Sequence, residues 1–169
     1  MVTKNWKNYI NCAMYLGNSA YGYLPAVNVT NTTYYISGTV TINNGALALN
    51  ATTVGISVGT GNTAATENDY NLEATITSGL TATVTIVKSL DNGSPVNKYR
   101  VALSNTTASD IIIKEVGYKA NIQCVASQGG TSSQSNRTCL LDRTVLATPL
   151  TVPAGGNAVL DYTLKAVYS

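Results

Sequence analysis

Alternation of apolar and polar residues after residue 33 predicts β-strands. In Leu80–Val87, positions 80, 82, 84 and 86 are apolar and positions 81, 83 and 85 are threonine. A period of two is expected of a strand with one buried face. The runs 35–42 and 158–166 alternate in the same way, and 54–58 is a shorter strand. Turn residues such as Asn43-Asn44-Gly45 separate these runs and predict the intervening connections.

Two further segments complete the predicted β-fold. Ile111-Ile112-Ile113 is apolar at every position, which predicts a strand covered on both faces, by the opposing sheet and by a second body such as a helix or a partner. Residues 127–136 are rich in Ser, Gly and Gln and predict an exposed loop. Short strands separated by turn clusters predict an all-β fold, either an antiparallel β-sandwich or a jelly-roll-like barrel.

The N-terminal residues depart from this pattern. Apolar side chains recur at spacings of three and four and predict a short amphipathic helix ending near Gly17; they are Trp6, Tyr9, Ile10, Ala13 and Met14. A helix this short is marginally stable alone, so its apolar stripe must dock on its own domain or on a neighbouring subunit. We therefore divide the chain into an N-terminal helix and Tyr-rich arm, residues 1–33, and a β-sandwich domain, residues 34–169.

Four tyrosines bracket the loop-like segment 18–33: Tyr21, Tyr23, Tyr34 and Tyr35. Tyrosine joins an apolar ring to a polar tip, so it suits a hydrated interface. The cluster is also compatible with half-buried packing under a long loop and with stacking on a sugar.

The chain has few charged residues, and this limits the kinds of partner that it is expected to bind. Only 11% of residues are charged, and the net charge is +2 without a basic run. Direct nucleic-acid binding is not expected, because such proteins present a clustered basic face. A surface poor in charge is compatible with burial against neighbouring proteins, since interface cores are depleted of charged residues. The chain also lacks an apolar run of about 18 residues and an apolar signal-peptide stretch, which predicts a cytoplasmic product without membrane contact.

Groups for catalysis are equally scarce. The chain contains no histidine, which excludes Ser-His-Asp and Cys-His nucleophile systems and histidine metal sites. Cys12, Cys124 and Cys139 lack metal-type spacing; Cys124 and Cys139 flank a loop and are compatible with a disulfide, although reduced thiols are expected in the cytoplasm. No phosphate-binding glycine loop occurs. We expect neither enzymatic activity nor a cofactor.

One acidic group is a candidate metal site: Glu67, Asp69 and Glu73, with Asn68 and Asn71 between them. Their oxygens suit Ca²⁺, which takes hard oxygen ligands, but the spacing is not that of an EF-hand. Paired carboxylates also serve glycosidases, which require a cleft and a raised pKa. The interpretation we favour is a solvated acidic turn.

Several short motifs from Gly55 to Leu164 resemble structural proteins of tailed-phage particles. They are Val58-Gly59-Thr60-Gly61, Asp69-Tyr70-Asn71-Leu72-Glu73, Ser78-Gly79-Leu80, Ser104-Asn105-Thr106-Thr107, Ile113-Lys114-Glu115-Val116-Gly117, Leu140-Leu141-Asp142-Arg143 and Pro153-Ala154-Gly155-Gly156. The resemblance covers roughly two thirds of the chain and lies in short motifs at turns and strands. It implies a fold module like those of head-decoration proteins, head fibres and tail-associated proteins. No catalytic residue comes with it.

The resemblance implies a virion component made in the host cytoplasm, and we expect an auxiliary protein that decorates and stabilises the capsid. Its expected partners are the major capsid protein or other virion proteins, and copies of itself. The alternatives are a tail or fibre module that binds a host surface glycan or protein, and an adaptor at the head–tail junction. The predicted contact residues are Trp6, Tyr9, Ile10, Met14, Tyr21, Tyr23, Tyr34 and Tyr35.

Overall fold

One helix precedes eight strands in a computed structural model that describes residues 1–15, 24–41, 47–50, 53–91, 94–127 and 133–165. The strands form two antiparallel sheets. The elements are α1 Lys4–Tyr15, β1 Pro25–Val27, β2 Thr33–Thr41, β3 Gly55–Gly59, β4 Leu80–Asp91, β5 Ser94–Asn105, β6 Ile111–Val125, β7 Ser135–Val152 and β8 Asn157–Lys165. In the described ranges no helix is long and apolar enough to cross a bilayer.

The five-stranded sheet is built around β6. Along one edge β6 pairs with β7, from Ile111↔Val152 to Cys124↔Ser135. Along its other edge β3 and β2 follow one another, with Val116 of β6 opposite Val58 and Cys124 opposite Ile36. β1 extends the sheet beyond β2. The middle of β6, from Glu115 to Ala120, is buried at every position, because it has neighbours on both edges and both faces.

The second sheet has the order β4-β5-β8. β4 and β5 pair over twelve consecutive residues without a register shift, from Leu80↔Asn105 to Asp91↔Ser94. β8 pairs with β5 from Val96↔Lys165 to Ser104↔Asn157. β4 and β5 therefore form a long antiparallel pair, and β4 extends beyond the Leu80–Val87 run whose alternation predicts a strand.

The two sheets face each other across one hydrophobic core. Its fully buried side chains include Ile36, Ile56 and Tyr118 from the first sheet and Val101 and Leu103 from the second. The rings of Tyr118 and Tyr99 lie 5.2 Å apart across the layers. The prediction of an all-β antiparallel sandwich with a short N-terminal helix is confirmed.

One strand prediction is wrong in detail. Ile112 is 45% exposed and Ile111 is half-buried, whereas Ile113 is buried. The triple-isoleucine run therefore lies at the margin of the sheet, with only one face covered. The fully covered part of β6 begins at Glu115, where a loop closes over the second face.

The described residues of the segment 1–33 are bonded to the same sheet. The Thr3 amide donates to Leu141 O at 3.0 Å, and its hydroxyl donates to Leu140 O at 2.7 Å. The Asn5 amide nitrogen donates to Val27 O and its oxygen accepts from Val27 N, both at 2.7 Å. The Asn5 side chain thus pairs with β1 as a strand would. The domain division at residue 33 stays a prediction, but these contacts favour one cooperative unit.

The cysteine register argues against a bridge between Cys124 and Cys139. Cys139 lies opposite Ala120, whereas Cys124 lies opposite Ser135. Four residues of strand separate the two positions, or roughly 13 Å at the usual rise per residue, beyond the reach of a disulfide. Both side chains are buried, and burial raises the pKa of the Cys139 thiol. The Cys12 side chain lies outside the described residues.

Candidate functional site

The most highly charged buried site in the described structure is centred on Arg143 of β7, whose side chain is 4% exposed. Its Nε lies 2.8 Å from Glu115 Oε2, and its Nη1 lies 2.8 Å from Asp69 Oδ2. Nη2 donates to Thr63 O at 3.1 Å and lies 3.5 Å from Glu73 Oε2. We call Arg143, Asp69, Glu73 and Glu115 the Arg143 cluster.

Glu115 fixes the loop between β3 and β4 against the sheet. It is fully buried on β6, and its Oε1 accepts hydrogen bonds from Ala74 N at 2.8 Å and Gly61 N at 3.2 Å. Its Oε2 accepts from Glu73 N at 3.1 Å as well as from Arg143. A carboxylate with this many charge-assisted bonds is satisfied although it is buried. Glu115 and Arg143 therefore hold this loop against the sheet together.

Two glycines permit this close approach. A Cβ on Gly59 would meet Glu115 Oε1 and would lie 2.6 Å from Ala74 O. A Cβ on Gly61 would lie 2.6 Å from Glu115 Oε1 and 2.7 Å from Glu73 Oε2. The segment Gly59-Thr60-Gly61 therefore not only ends β3 but also lets the backbone contact the buried carboxylate of Glu115.

Two of the carboxyls that contact Arg143, those of Asp69 and Glu73, have pKa values lowered from their ordinary range. Burial alone would raise the pKa of Asp69, but hydrogen bonds from Arg143 and Thr66 outweigh it and lower the pKa. The Thr63 amide and hydroxyl, which bond Glu73 at 2.8 and 2.9 Å, lower the pKa of Glu73. A general acid needs a raised pKa, so these groups are poorly suited to the glycosidase role.

An open polar groove lies beside the Arg143 cluster, with a volume of about 570 Å³. We call it the polar groove; its walls come from residues 29–31, 63, 68–73 and 143. Tyr70 is 37% exposed there. The side chains of Asn31 and Asn68 are exposed and make no hydrogen bond within the described ranges. Free amides beside an exposed aromatic ring can bind a polar ligand.

The three acids predicted as a metal candidate are not brought together. Glu67 points to the helix, with Lys7 Nζ at 2.6 Å and Lys4 Nζ at 3.7 Å, and the Lys7 hydrogen bond lowers the pKa of Glu67. Asp69 and Glu73 contact Arg143 instead. Among the described residues no three metal-ligating side chains are grouped. Each of the three acids is paired with a cationic side chain of the protein instead.

The predicted contact residues that the structure describes lie largely against the chain itself. Trp6 and Tyr9 are half-buried, stack with ring centroids 5.8 Å apart and pack on the core. Tyr34 packs on the core and lies under the Arg137 guanidinium, 4.1 Å from the ring centroid. Ile10 and Tyr35 are half-buried. Tyr21, Tyr23 and the Met14 side chain lie outside the described residues, and the interface assignment stays a prediction.

Sequence reasoning missed Arg143 and Glu115. Both were visible as charges inside apolar runs, in Ile113-Lys114-Glu115-Val116 and Leu140-Leu141-Asp142-Arg143. A charge in the middle of a strand that is otherwise apolar indicates a buried pair, because an unpaired buried charge is costly. Nothing in the spacing of 28 residues indicated that these two would meet.

The chain was compared with protein-family models, with curated proteins and with solved structures, and none matches.

Proposed function

We propose that this protein is a non-catalytic structural component of a tailed-phage virion, an auxiliary protein on the outer capsid. The observation that carries the proposal is that the charged groups of the Arg143 cluster bond to one another and to backbone. In the described structure Glu115, Asp69 and Glu73 are bonded to Arg143 and to backbone groups, so these charges hold the loop between β3 and β4 in place.

The surface chemistry supports an adhesive role. The outward face of the second sheet carries Thr81, Thr83 and Thr85 on β4 and Val159 and Thr163 on β8, all exposed, and its Arg100 and Asp161 form an ion pair with each other. Uncharged side chains of this kind lose little solvation free energy when a neighbour covers them, in contrast to charges. Several weak contacts of a rigid body on a repetitive shell add up to strong attachment through avidity.

Attachment would stabilise the shell by mass action, because a protein that binds only the assembled lattice favours that lattice.

The test is reconstitution. Particles from a phage lacking this gene are mixed with purified protein and sedimented. Saturable co-sedimentation with intact particles, and greater resistance of the loaded particles to heat, are expected. Absence of binding to particles at any stage of assembly overturns the proposal.

The polar groove favours a second candidate, a tail or fibre module that binds a host-surface saccharide. The groove has the volume of a small-ligand site, and it combines Tyr70 with the amides of Asn31 and Asn68. A glycan array probed with the wild-type protein and with Tyr70→Ala distinguishes the candidates. Glycan binding by the wild type that is lost in Tyr70→Ala supports the tail or fibre module. If the wild type binds no glycan, only the capsid proposal remains.

A further inference from the structure

The edges of the five-stranded sheet are covered by the chain itself. Asn5 pairs with both backbone groups of Val27 on β1, and Asn8 donates to Pro25 O at 2.7 Å. Residues 1–3 run along the outer edge of β7, with a bridge from Val2 to Asp142. On β3, Ile76 N donates to Val58 O at 2.9 Å. Such covering protects a sheet from pairing with another chain.

The β4 edge of the second sheet lacks these protections. None of the described residues pairs with β4 on the side away from β5. The strand has twelve residues, no proline and no bulge, and its charges, Lys88 and Asp91, lie in its last four positions. Ala82, Val84 and Ile86 pack on the core yet stay half-buried, as expected where the sheet ends. The opposite edge, β8, is shorter and carries Asp161 and Lys165.

Exposed apolar side chains are concentrated on the same strand. Leu90 is 73% exposed and Val87 is 57% exposed, the largest values among the large apolar residues of the described strands. Exposed apolar surface beside an open edge indicates a site of protein contact.

We propose that β4 pairs with β4 of a second copy of this chain, antiparallel about a two-fold axis at Thr85. Even-numbered residues of β4 face the core. In the dimer, even-numbered residues of one β4 must therefore lie opposite even-numbered residues of the other, because only such a register keeps the apolar faces of the two strands on the same side of the joined sheet. With Thr85 opposite itself, Val84 lies opposite Ile86 and Leu80 opposite Leu90. The six-stranded sheet that results covers the exposed Leu90 with a leucine.

The register is also self-complementary in charge. Lys88 lies opposite Ala82, so the two lysines of the dimer are six pairs apart along the strands and do not repel. The outer face opposes Thr81 with Ser89 and Thr83 with Val87, pairs that stabilise an antiparallel ladder. An eleven-residue pairing adds about ten backbone hydrogen bonds. The same patch on both subunits gives a closed, isologous dimer. This inference is independent of the proposed function.

Two charge variants at the two-fold position test it. Analytical ultracentrifugation of the wild type should give twice the 17.7 kDa chain mass. Thr85→Lys and Thr85→Glu should each sediment as monomers, because like charges then face each other. An equimolar mixture of the two should restore the dimer mass. Thr163→Lys, the same change on the outward face of β8, is the matched control and should remain dimeric.

The variants should match the wild type in circular dichroism, since Thr85 and Thr163 are both exposed. A monomeric wild type at high micromolar concentration overturns the proposal, as does a Thr85→Lys variant that is as dimeric as Thr163→Lys. Failure of the mixture to reassociate overturns the register at Thr85.

Discussion

Arg143 shows how a chain with few charges uses them. Its guanidinium bonds three carboxylates and one carbonyl while its side chain stays almost fully buried. Removal of one partner of a buried pair leaves the other charge without compensation, which costs far more than the pair contributes as a whole. The cluster is therefore the point at which a single substitution should do most damage.

We expect Arg143→Met to lower the free energy of unfolding by about 3–5 kcal/mol, because the buried Glu115 would lose its ion-pair partner. Urea denaturation measures the change. Arg100→Met is the matched control, since Arg100 pairs with Asp161 at 3.0 Å where both side chains are more than half exposed. Exposed pairs contribute little, so equal losses in the two variants would contradict the account.

The Arg143 cluster should also make stability depend on acid pH. The pKa of Asp69 is lowered from its ordinary value of 3.8, so below that pH the unfolded chain binds more protons than the folded one. The stabilisation is present above pH 3.8 and is lost as the pH falls through the folded pKa. Asp69→Asn should be less stable than the wild type at pH 7, and the difference should shrink in acid. Urea titrations across this range test it; a constant difference would argue against ionised Asp69.

Lys119 differs from Arg143, because it is a buried cation that lacks a hydrogen-bonded partner in the described structure. It is fully buried on β6, and its Nζ has no hydrogen-bond partner in the described structure. Burial lowers the pKa of Lys119 from 10.5 to about 8. Between these values the unfolded chain binds more protons, so the contribution of Lys119 to stability rises with pH and is least favourable below pH 8.

Lys119→Met should therefore be more stable than the wild type at pH 7, and its advantage should decline as the pH rises from 8 towards 10.5. Parallel urea titrations of the two proteins isolate this effect from the titration of tyrosines and cysteines, which both share. A variant that is less stable at pH 7 would show that the amine has a structural partner.

At the scale of elements, α1 and β1 depend on Asn5. This side chain is 3% exposed, and it bonds Val27 twice and Leu140 O once, the latter at 3.1 Å. Asn5→Ala should destabilise the protein by about 1–3 kcal/mol, since buried backbone groups lose their partners. Asn8→Ala, which removes an exposed bond to Pro25 O, should cost much less in thermal denaturation. Similar losses would mean that the helix does not rely on Asn5.

The strands differ in how far their sequence reveals them. β4 was predictable because its alternation is uninterrupted. The three-residue β1 was predicted as loop, since its pairing depends on β2 and on the Asn5 side chain. β7 continues through Pro149 because residues 146–149 lie opposite Lys114 in an irregular stretch of the ladder. Proline is tolerated where the ladder is interrupted, and this interruption arises from pairing with β6, not from local preference.

At the scale of the molecule, composition and alternation were enough for the fold class but not for the site. The sandwich follows from the period of two and the spacing of turns. The Arg143 cluster unites residues of β6, β7 and the loop between β3 and β4, which are distant in sequence. The acidic group was recognised as polar and exposed, but its cation lies about 70 residues away, as the Asp69–Arg143 separation of 74 residues shows.

The central claim is that this chain serves as a structural part of a virion, and counting its copies in purified particles tests that claim most directly. Quantitative mass spectrometry against a labelled standard gives the number per particle. We expect hundreds of copies, the stoichiometry of capsid decoration. About a dozen would place it at the head–tail junction, and a few would place it at a tail tip or fibre. Complete absence from mature particles would contradict the account.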